Sequence, residues 1–135
     1  MKKIVLAILC IVVFCFTISC STEKLSTEKL RDIEFTVVEK EDIPKEFLEV
    51  IQEKDKNPFK LTYADQGMLY IAEGYGQQKT SGYSIEVRDC YETENAVYVH
   101  TNLIGPAKDE KLVETETFPY IVIKLEFIDK NVVFQ

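Results

Sequence analysis

The feature that most constrains the fold is a succession of short β-forming segments between residues 59 and 134, separated by turn residues. Residues 83–87 alternate large apolar and polar side chains, which is typical of a strand with one buried face. Thr93-Glu94-Asn95 predicts a hairpin turn, and residues 96–103 alternate again, with Val97, Val99 and Thr101 on one side. Short connections favour antiparallel pairing. We therefore predict a β-dominated α+β fold, with antiparallel strands in a small sheet, a sandwich or an open barrel.

One amphipathic helix is predicted over about residues 44–54. Pro44 after Asp42 is typical of a helix start, and Phe47 and Ile51 fall on one face. A first strand is predicted over 33–38, and a final hairpin over 127–134. The other predicted strands are 59–63, 67–73, 83–87 with a continuation past a bulge to 92, 96–103, a short strand at Val113, and 119–125.

The first 20 residues, MKKIVLAILCIVVFCFTISC, are predicted to be a targeting segment. Two lysines precede an apolar run over 4–16, which is shorter than the about 20 residues of a membrane span. Small residues before Cys20 resemble the lipobox of bacterial lipoproteins, although Thr17 stands where a large aliphatic residue is usual. The resemblance implies a signal peptide over 1–19, a lipidated Cys20 and an extracytoplasmic protein anchored to a bacterial membrane. An ordinary cleaved signal or a short uncleaved anchor is the alternative.

The rest of the chain divides into a tether and one domain. Residues 21–30 repeat Ser-Thr-Glu-Lys-Leu twice, a polar and charge-balanced pattern that predicts a tether over 20–32. A single β-rich domain is predicted over 33–135. Cys90 is its one cysteine and His100 its one histidine, so neither a disulfide within the domain nor a structural zinc site is expected. We predict Cys90 to be a small, half-buried strand residue rather than a nucleophile.

Charge and motif content exclude several function classes. With 16 Lys and Arg against 23 Asp and Glu, the net charge of -7 disfavours nucleic acid as a partner. Gly74-Tyr75-Gly76 lacks the Lys-Ser/Thr of a phosphate loop, and the chain has no calcium-loop motif. We predict no catalytic residue, metal, cofactor or small-molecule substrate. A carboxylate-dependent hydrolase, which needs two acidic groups in a cleft, is the enzymatic alternative.

The segment 74–83 holds three glycines and two tyrosines between two predicted strands. Glycine permits positive φ and close backbone approach, and tyrosine offers large contact area at low entropic cost. The segment is either an ordinary hairpin loop or a loop that presents side chains to a protein partner. The candidate partner-binding residues are Gly74, Tyr75, Gly76, Thr80, Gly82 and Tyr83.

The stretch from Gly74 to Val87 resembles the Gly-x-x-x-Thr-Gly-Gly-Tyr-x-Val core of the PrcB C-terminal domain family, which is named for a subunit of a bacterial surface protease complex. Ser81-Gly82 stands in place of the double glycine. A hairpin strand, a Gly105-Pro106 loop and a Thr-x-Pro-Tyr strand start follow in the family's order, so the resemblance covers about 67–134. It implies a non-enzymatic module that associates with, or stabilises, another envelope protein such as a protease. The strand start adds a secondary loop with Thr117, Pro119 and Tyr120.

A second resemblance leads to a different function. Thr80-Ser81-Gly82-Tyr83 is similar to the Thr-Gly-Tyr loop of chagasin-type cysteine-protease inhibitors, whose other two inhibitory loops have no match here. A direct inhibitor is therefore the alternative to an accessory module. It requires that the loops 76–82, 104–110 and 116–119 converge at one end of the fold.

Overall fold

The computed structural model describes residues 28–135, so Cys20, the predicted signal peptide and most of the predicted tether lie outside the described residues. These residues form eight strands, a short 3-10 turn and one α-helix. The elements are β1 (Lys29–Asp32), β2 (Thr36–Val37), the 3-10 turn (Lys40–Asp42), α1 (Lys45–Lys54), β3 (Pro58–Asp65), β4 (Met68–Tyr75), β5 (Ser84–Thr93), β6 (Ala96–Ile104), β7 (Tyr120–Glu126) and β8 (Asn131–Phe134).

The strands form two four-stranded sheets. The front sheet has the order β1-β5-β6-β8, and the back sheet has the order β2-β7-β4-β3. All neighbours pair antiparallel except β6 and β8, which are parallel. Leu69 and Ile71 of the back sheet pack with Val97 and Val99 of the front sheet in one buried cluster. The fold is therefore a small sandwich, which confirms the predicted β-dominated α+β class.

The helix α1 covers the outer face of the back sheet. It begins at Lys45 directly after Pro44, close to the predicted start. Phe47 and Ile51, the buried residues of the helix, pack against Tyr70 and other residues of the back sheet. The Phe47 ring also stacks on Tyr63, with centroids 5.2 Å apart. Residues 28–135 contain no helix with the length and apolarity of a membrane span.

The strand directions give the sandwich two distinct poles. Lys29 lies opposite Thr93, so the described chain begins at the pole that holds the 94–95 turn. Residues 66–67 and 127–130 connect strands at the same pole, which we call the N-terminal pole. The connections 76–83 and 105–119 lie at the other end, the loop pole, because β4 ends and β7 begins there.

Two strand predictions were wrong. The alternation of apolar and polar residues does not show where the chain passes from one sheet to the other. Of the predicted strand 33–38, only residues 36–37 are a strand, β2 of the back sheet. Residues 33–35, beginning with the buried Ile33, connect it to β1, which ends at Asp32 in the front sheet. The predicted final hairpin 127–134 is a crossover. Residues 127–130 carry the chain to the front sheet, where β8 pairs parallel with β6 and packs Val132 against the core.

Two further boundaries differ from the prediction. Val113 lies in a loop rather than in a short strand. The sheet starts at Lys29, so β1 overlaps the predicted tether 20–32. The sequence did not indicate this strand because three of its four residues are charged. The strand β1 is an exposed edge of the front sheet, and the ion pair of Arg31 and Glu92 reinforces its pairing with β5.

Glu92 joins three parts of the fold and makes stability depend on pH. Hydrogen bonds from Lys130, at 2.8 Å, and Arg31, at 2.7 Å, hold the pKa of its carboxyl below the usual value. A lowered folded-state pKa stabilises the fold above the unfolded pKa, and this stability is lost as the pH falls through the folded pKa. We expect Glu92→Gln to lower the thermal midpoint at pH 7. The difference from wild type should shrink at acid pH, below the lowered folded-state pKa, where the Glu92 carboxyl is protonated in both the folded and the unfolded wild-type protein. An equal loss at pH 7 and at acid pH would contradict this.

Candidate protein-binding surface at the loop pole

Hydrogen bonds join the two predicted loops, the glycine-rich segment 74–83 and the secondary loop that contains Thr117. Gln78 and Thr117 form an antiparallel bridge, with N–H···O distances of 2.8 and 3.0 Å in the two directions. The Thr117 hydroxyl also donates to the carbonyl oxygen of Thr80 at 2.7 Å. Since each loop supplies backbone partners for the other, the two loops form one structural unit.

The connection 105–119 crosses the first loop and is fastened to it at Ser81. The Ser81 N–H donates to the Val113 carbonyl oxygen at 3.0 Å, and the Val113 N–H donates to the Ser81 hydroxyl at 2.9 Å. Pro106 and Leu112 lie so close to Gly82 that a Cβ there would approach them to 2.8 and 3.0 Å. The loops 76–82, 104–110 and 116–119 therefore converge at one end of the sandwich, as the inhibitor alternative requires.

Several predicted site residues have interior contacts. The Tyr75 hydroxyl lies 2.6 Å from the Thr101 hydroxyl, which donates to a Glu73 carboxylate oxygen at 2.7 Å. Glu73 and Thr101 are buried between the sheets. This chain of polar groups fixes the end of β4 to β6, so Tyr75 anchors the base of the loop. Gly74, beside it, is buried against the Phe59 ring.

The secondary loop is also anchored from inside. The Pro119 carbonyl oxygen accepts a hydrogen bond from the Tyr75 N–H at 3.1 Å. Tyr120 packs against Phe59 in the cluster beneath α1, with ring centroids 6.3 Å apart, and burial raises the pKa of its hydroxyl. Thr117 connects the loops, as described above. The rigid base of the surface is thus built from residues that the sequence pointed to.

The turns of the first loop depend on glycine. Gly76 has φ of +74° and Gly82 has φ of +92°, a region that side chains with a Cβ rarely adopt. Gly76 is buried, and a Cβ there would meet Pro58. Gly82 is exposed, while Thr80 and Tyr83 are half-buried. Of the predicted site residues on this loop, Gly82 is therefore the most accessible to solvent, and Tyr75 at its base is half-buried like Thr80 and Tyr83.

The exposed apolar side chains at this pole were missed by sequence reasoning. Val113 is 62% exposed, Leu112 41% and Ile104 40%. Ile104 ends β6 opposite Ser84, and Leu112 and Val113 lie on the crossing loop. The available signal was the Leu-Val pair inside the otherwise polar stretch 107–117. We call these three exposed side chains the apolar crest of the loop pole.

Residues with catalytic potential lie elsewhere. His100 is on the outer face of the front sheet, with its Nδ1 4.0 Å from an Asp89 oxygen. Within residues 28–135, no cluster of three or more His, Cys, Asp or Glu residues is placed to hold a metal ion. Cys90 is 5% exposed, and burial raises the pKa of its thiol to about 11. The thiolate, which is the nucleophilic form, is thereby disfavoured at neutral pH.

We expect the Cys90 thiol to react with a disulfide reagent at pH 8 about a hundredfold more slowly in the folded protein than in urea. Both the raised pKa and the burial of the sulfur slow the reaction. The measurement is the absorbance of the released thiol, with a Cys90→Ser variant as the background. Similar rates in the folded and unfolded protein would contradict a buried, protonated thiol.

A groove lies beside β1 and β2, away from the loop pole. Its volume is about 780 Å³, and its carboxylate residues are Asp32, Glu34 and Glu126. All three are exposed, and Asp32 is paired with Lys29 at 2.7 Å. Because these groups remain in water, the groove does not offer the desolvated acid and base of a hydrolase.

A comparison with protein-family models found a match for the part of the chain that carries these loops. Residues 69–126 match the model of the PrcB C-terminal family. The match confirms the predicted resemblance and runs from β4 to β7, so it includes both loops of the surface. No curated protein and no solved structure matched the chain significantly.

Proposed function

We propose that this protein is a lipid-anchored, non-enzymatic binding module of the bacterial cell envelope, and that its loop pole binds another envelope protein. The PrcB C-terminal match makes a protease complex the first candidate partner. In this role the protein stabilises or positions its partner. Lipidation of Cys20 supplies the attachment to the membrane, and the sequence before Cys20 supports it.

The observation that carries the proposal is the convergence of separate loops into one hydrogen-bonded surface with an apolar crest. The bridge between Gln78 and Thr117 and the pairing of Ser81 with Val113 hold the loops together. A surface held this way loses little conformational entropy on binding, which favours protein recognition. The surface lies at the pole opposite Lys29, near which the described chain begins, and this favours a partner contact away from the proposed attachment at Cys20.

The acid–base groups also favour a binding role. The carboxylates of the large groove are exposed, and Glu73 is enclosed among apolar side chains such as Ile71, Val99 and Ile121. Neither arrangement gives a substrate access to a desolvated acid–base pair. Cys90 is buried and protonated, which disfavours nucleophilic catalysis.

The test uses the full-length chain in its own membranes. A photo-reactive amino acid replaces Tyr83 at the loop pole or, as the control, Leu30 at the N-terminal pole. We expect Tyr83 to yield one dominant crosslinked envelope protein that Leu30 does not yield, and peptidase activity to be recovered with it. Cys20→Ser should release or mislocalise the chain and reduce the crosslink. The same products from both positions would refute a specific loop-pole partner.

A loop-based protease inhibitor is the second candidate, because its three loops converge as that function requires. The membrane-anchored chain would then inhibit a papain-like cysteine protease in a saturable manner. A Gly82→Ala variant, strained at φ of +92°, would weaken that inhibition. Unchanged protease activity at saturating protein would exclude this candidate and leave the accessory module in place.

A further inference from the structure

We propose that Val113, with Leu112 beside it, is a preorganised plug that inserts into an apolar pocket of the partner, and that this pocket has a basic rim. The inference rests on the proposed function, because it specifies how the loop pole contacts a protein. It is carried by the hydrogen bonds that hold Val113, by the exposure of its side chain and by the charges next to it.

Both backbone polar groups of Val113 are engaged. Its N–H donates to the Ser81 hydroxyl at 2.9 Å, and its carbonyl oxygen accepts from the N–H groups of Ser81, at 3.0 Å, and Thr115, at 2.9 Å. Three hydrogen bonds on one residue fix its backbone within a connection that has no regular secondary structure around it. The side chain is thereby held outward in one place.

The fixed residue carries the most exposed large apolar side chain among residues 28–135. Val113 is 62% exposed, whereas the apolar side chains of the strands next to it are mostly packed in the core. A β-branched side chain has a stiff χ1, so it loses little rotamer freedom on binding. Rigid apolar anchors that fill a pocket dominate the energy of many protein interfaces. A projecting side chain of this kind fits a concave partner.

The neighbouring charges define the rim of that pocket. Glu114 and Glu116 follow the plug and are exposed, and the exposed Lys111 precedes it. Within three residues of Val113, three carboxyl groups outnumber this one ammonium group, and the chain as a whole has a charge of -7. Glu110 is turned toward its own loop, where it accepts the Ala107 N–H at 3.1 Å. Basic side chains around the pocket would complement Glu114 and Glu116 and would speed association. The same charges, and the location at the pole opposite Lys29, disfavour an anionic lipid surface as the occupant.

The test keeps the photo-reactive residue at Tyr83 in the full-length, membrane-anchored chain and measures the yield of its crosslinked product. We expect Val113→Asp to reduce this yield about tenfold, because a charge would enter an apolar pocket. Ser81→Ala should reduce it several-fold, and Ser81→Thr, which keeps the hydroxyl, should restore it. Leu30→Asp is the matched control, since Leu30 is 61% exposed, and it should leave the yield unchanged.

The contribution of the acidic side chains to binding is tested separately. Glu114→Lys with Glu116→Lys should reduce the yield at low salt and leave it nearly unchanged at high salt. If Val113→Asp and Ser81→Ala both retain the wild-type yield, the plug is refuted while the loop-pole module stands. If Tyr83 captures no product in the wild-type chain, the proposed function itself fails. Equal thermal midpoints for all variants ensure that a lost crosslink reports binding rather than unfolding.

Discussion

Gly74→Ala is expected to destabilise the protein by about 3 kcal/mol or more, near the upper end for overpacked cores. A Cβ at Gly74 would meet the Phe59 ring, approaching Cδ1 to 2.6 Å and Cζ to 2.8 Å. The ring is 8% exposed and packs against Tyr120 with centroids 6.3 Å apart, so it cannot turn aside without disturbing the cluster beneath α1. The backbone cannot move either, because Gly74 is paired with both β3 and β7. Urea unfolding of wild type and variant measures the loss.

Two further variants test whether the collision with Phe59, rather than the mere replacement of a glycine, causes the destabilisation. Gly105→Ala should change the unfolding free energy by less than about 0.5 kcal/mol, because the nearest atom to its Cβ would be 3.8 Å away on Tyr83. Phe59→Leu in the Gly74→Ala background should recover part of the stability, since the smaller side chain makes room. A fully additive double mutant would contradict the predicted collision.

Thr101→Val is expected to cost about 3 kcal/mol, because it leaves a buried carboxylate without its hydrogen-bond donor. The Thr101 hydroxyl donates to Glu73 at 2.7 Å, and both residues are less than one-tenth exposed. Within residues 28–135, no ion pair compensates the Glu73 carboxylate. The Tyr75 hydroxyl would lose its partner as well, so the end of β4 should loosen.

A compensating variant identifies the unsatisfied carboxylate as the cause. Adding Glu73→Leu to Thr101→Val replaces the polar pair by apolar groups, and this should recover most of the lost stability. Val99→Ala serves as a comparison, because it removes apolar volume from the same strand without changing a polar contact. If Glu73→Leu fails to restore the unfolding midpoint, the cost of Thr101→Val does not arise from the buried charge.

Local periodicity predicted which residues are buried better than it predicted which strands are neighbours. Val97, Val99 and Thr101 were expected on one face of β6, and all three are buried in the core. The bulge expected at Arg88-Asp89 is present in the pairing of β5 with β6. The parallel position of β8 was not predicted, because period-two alternation records a buried face and carries no information on the sheet that a strand joins.

The three glycines of the segment 74–83 pointed to the candidate surface in the sequence. The roles of individual side chains in it were only partly predictable. Tyr75 was expected at a partner, yet it continues the inward alternation of Ile71 and Glu73 along β4, and its hydroxyl is bonded inside the fold. The engagement of Val113 by Ser81 joins residues 32 positions apart. Such a contact follows from tertiary convergence, and no local pattern encodes it.

If the protein is anchored through Cys20, as proposed, the placement of residue 28 and the loops at opposite poles sets a working height above the membrane. The eight residues of β4 span about 26 Å between the two poles, at about 3.3 Å per residue. If Cys20 carries the lipid, as proposed, residues 20–28 add at most about 30 Å when fully extended. The loop surface then contacts only those parts of an envelope protein that lie within about 60 Å of the bilayer. A partner is therefore selected by the elevation of its binding site as well as by its chemistry.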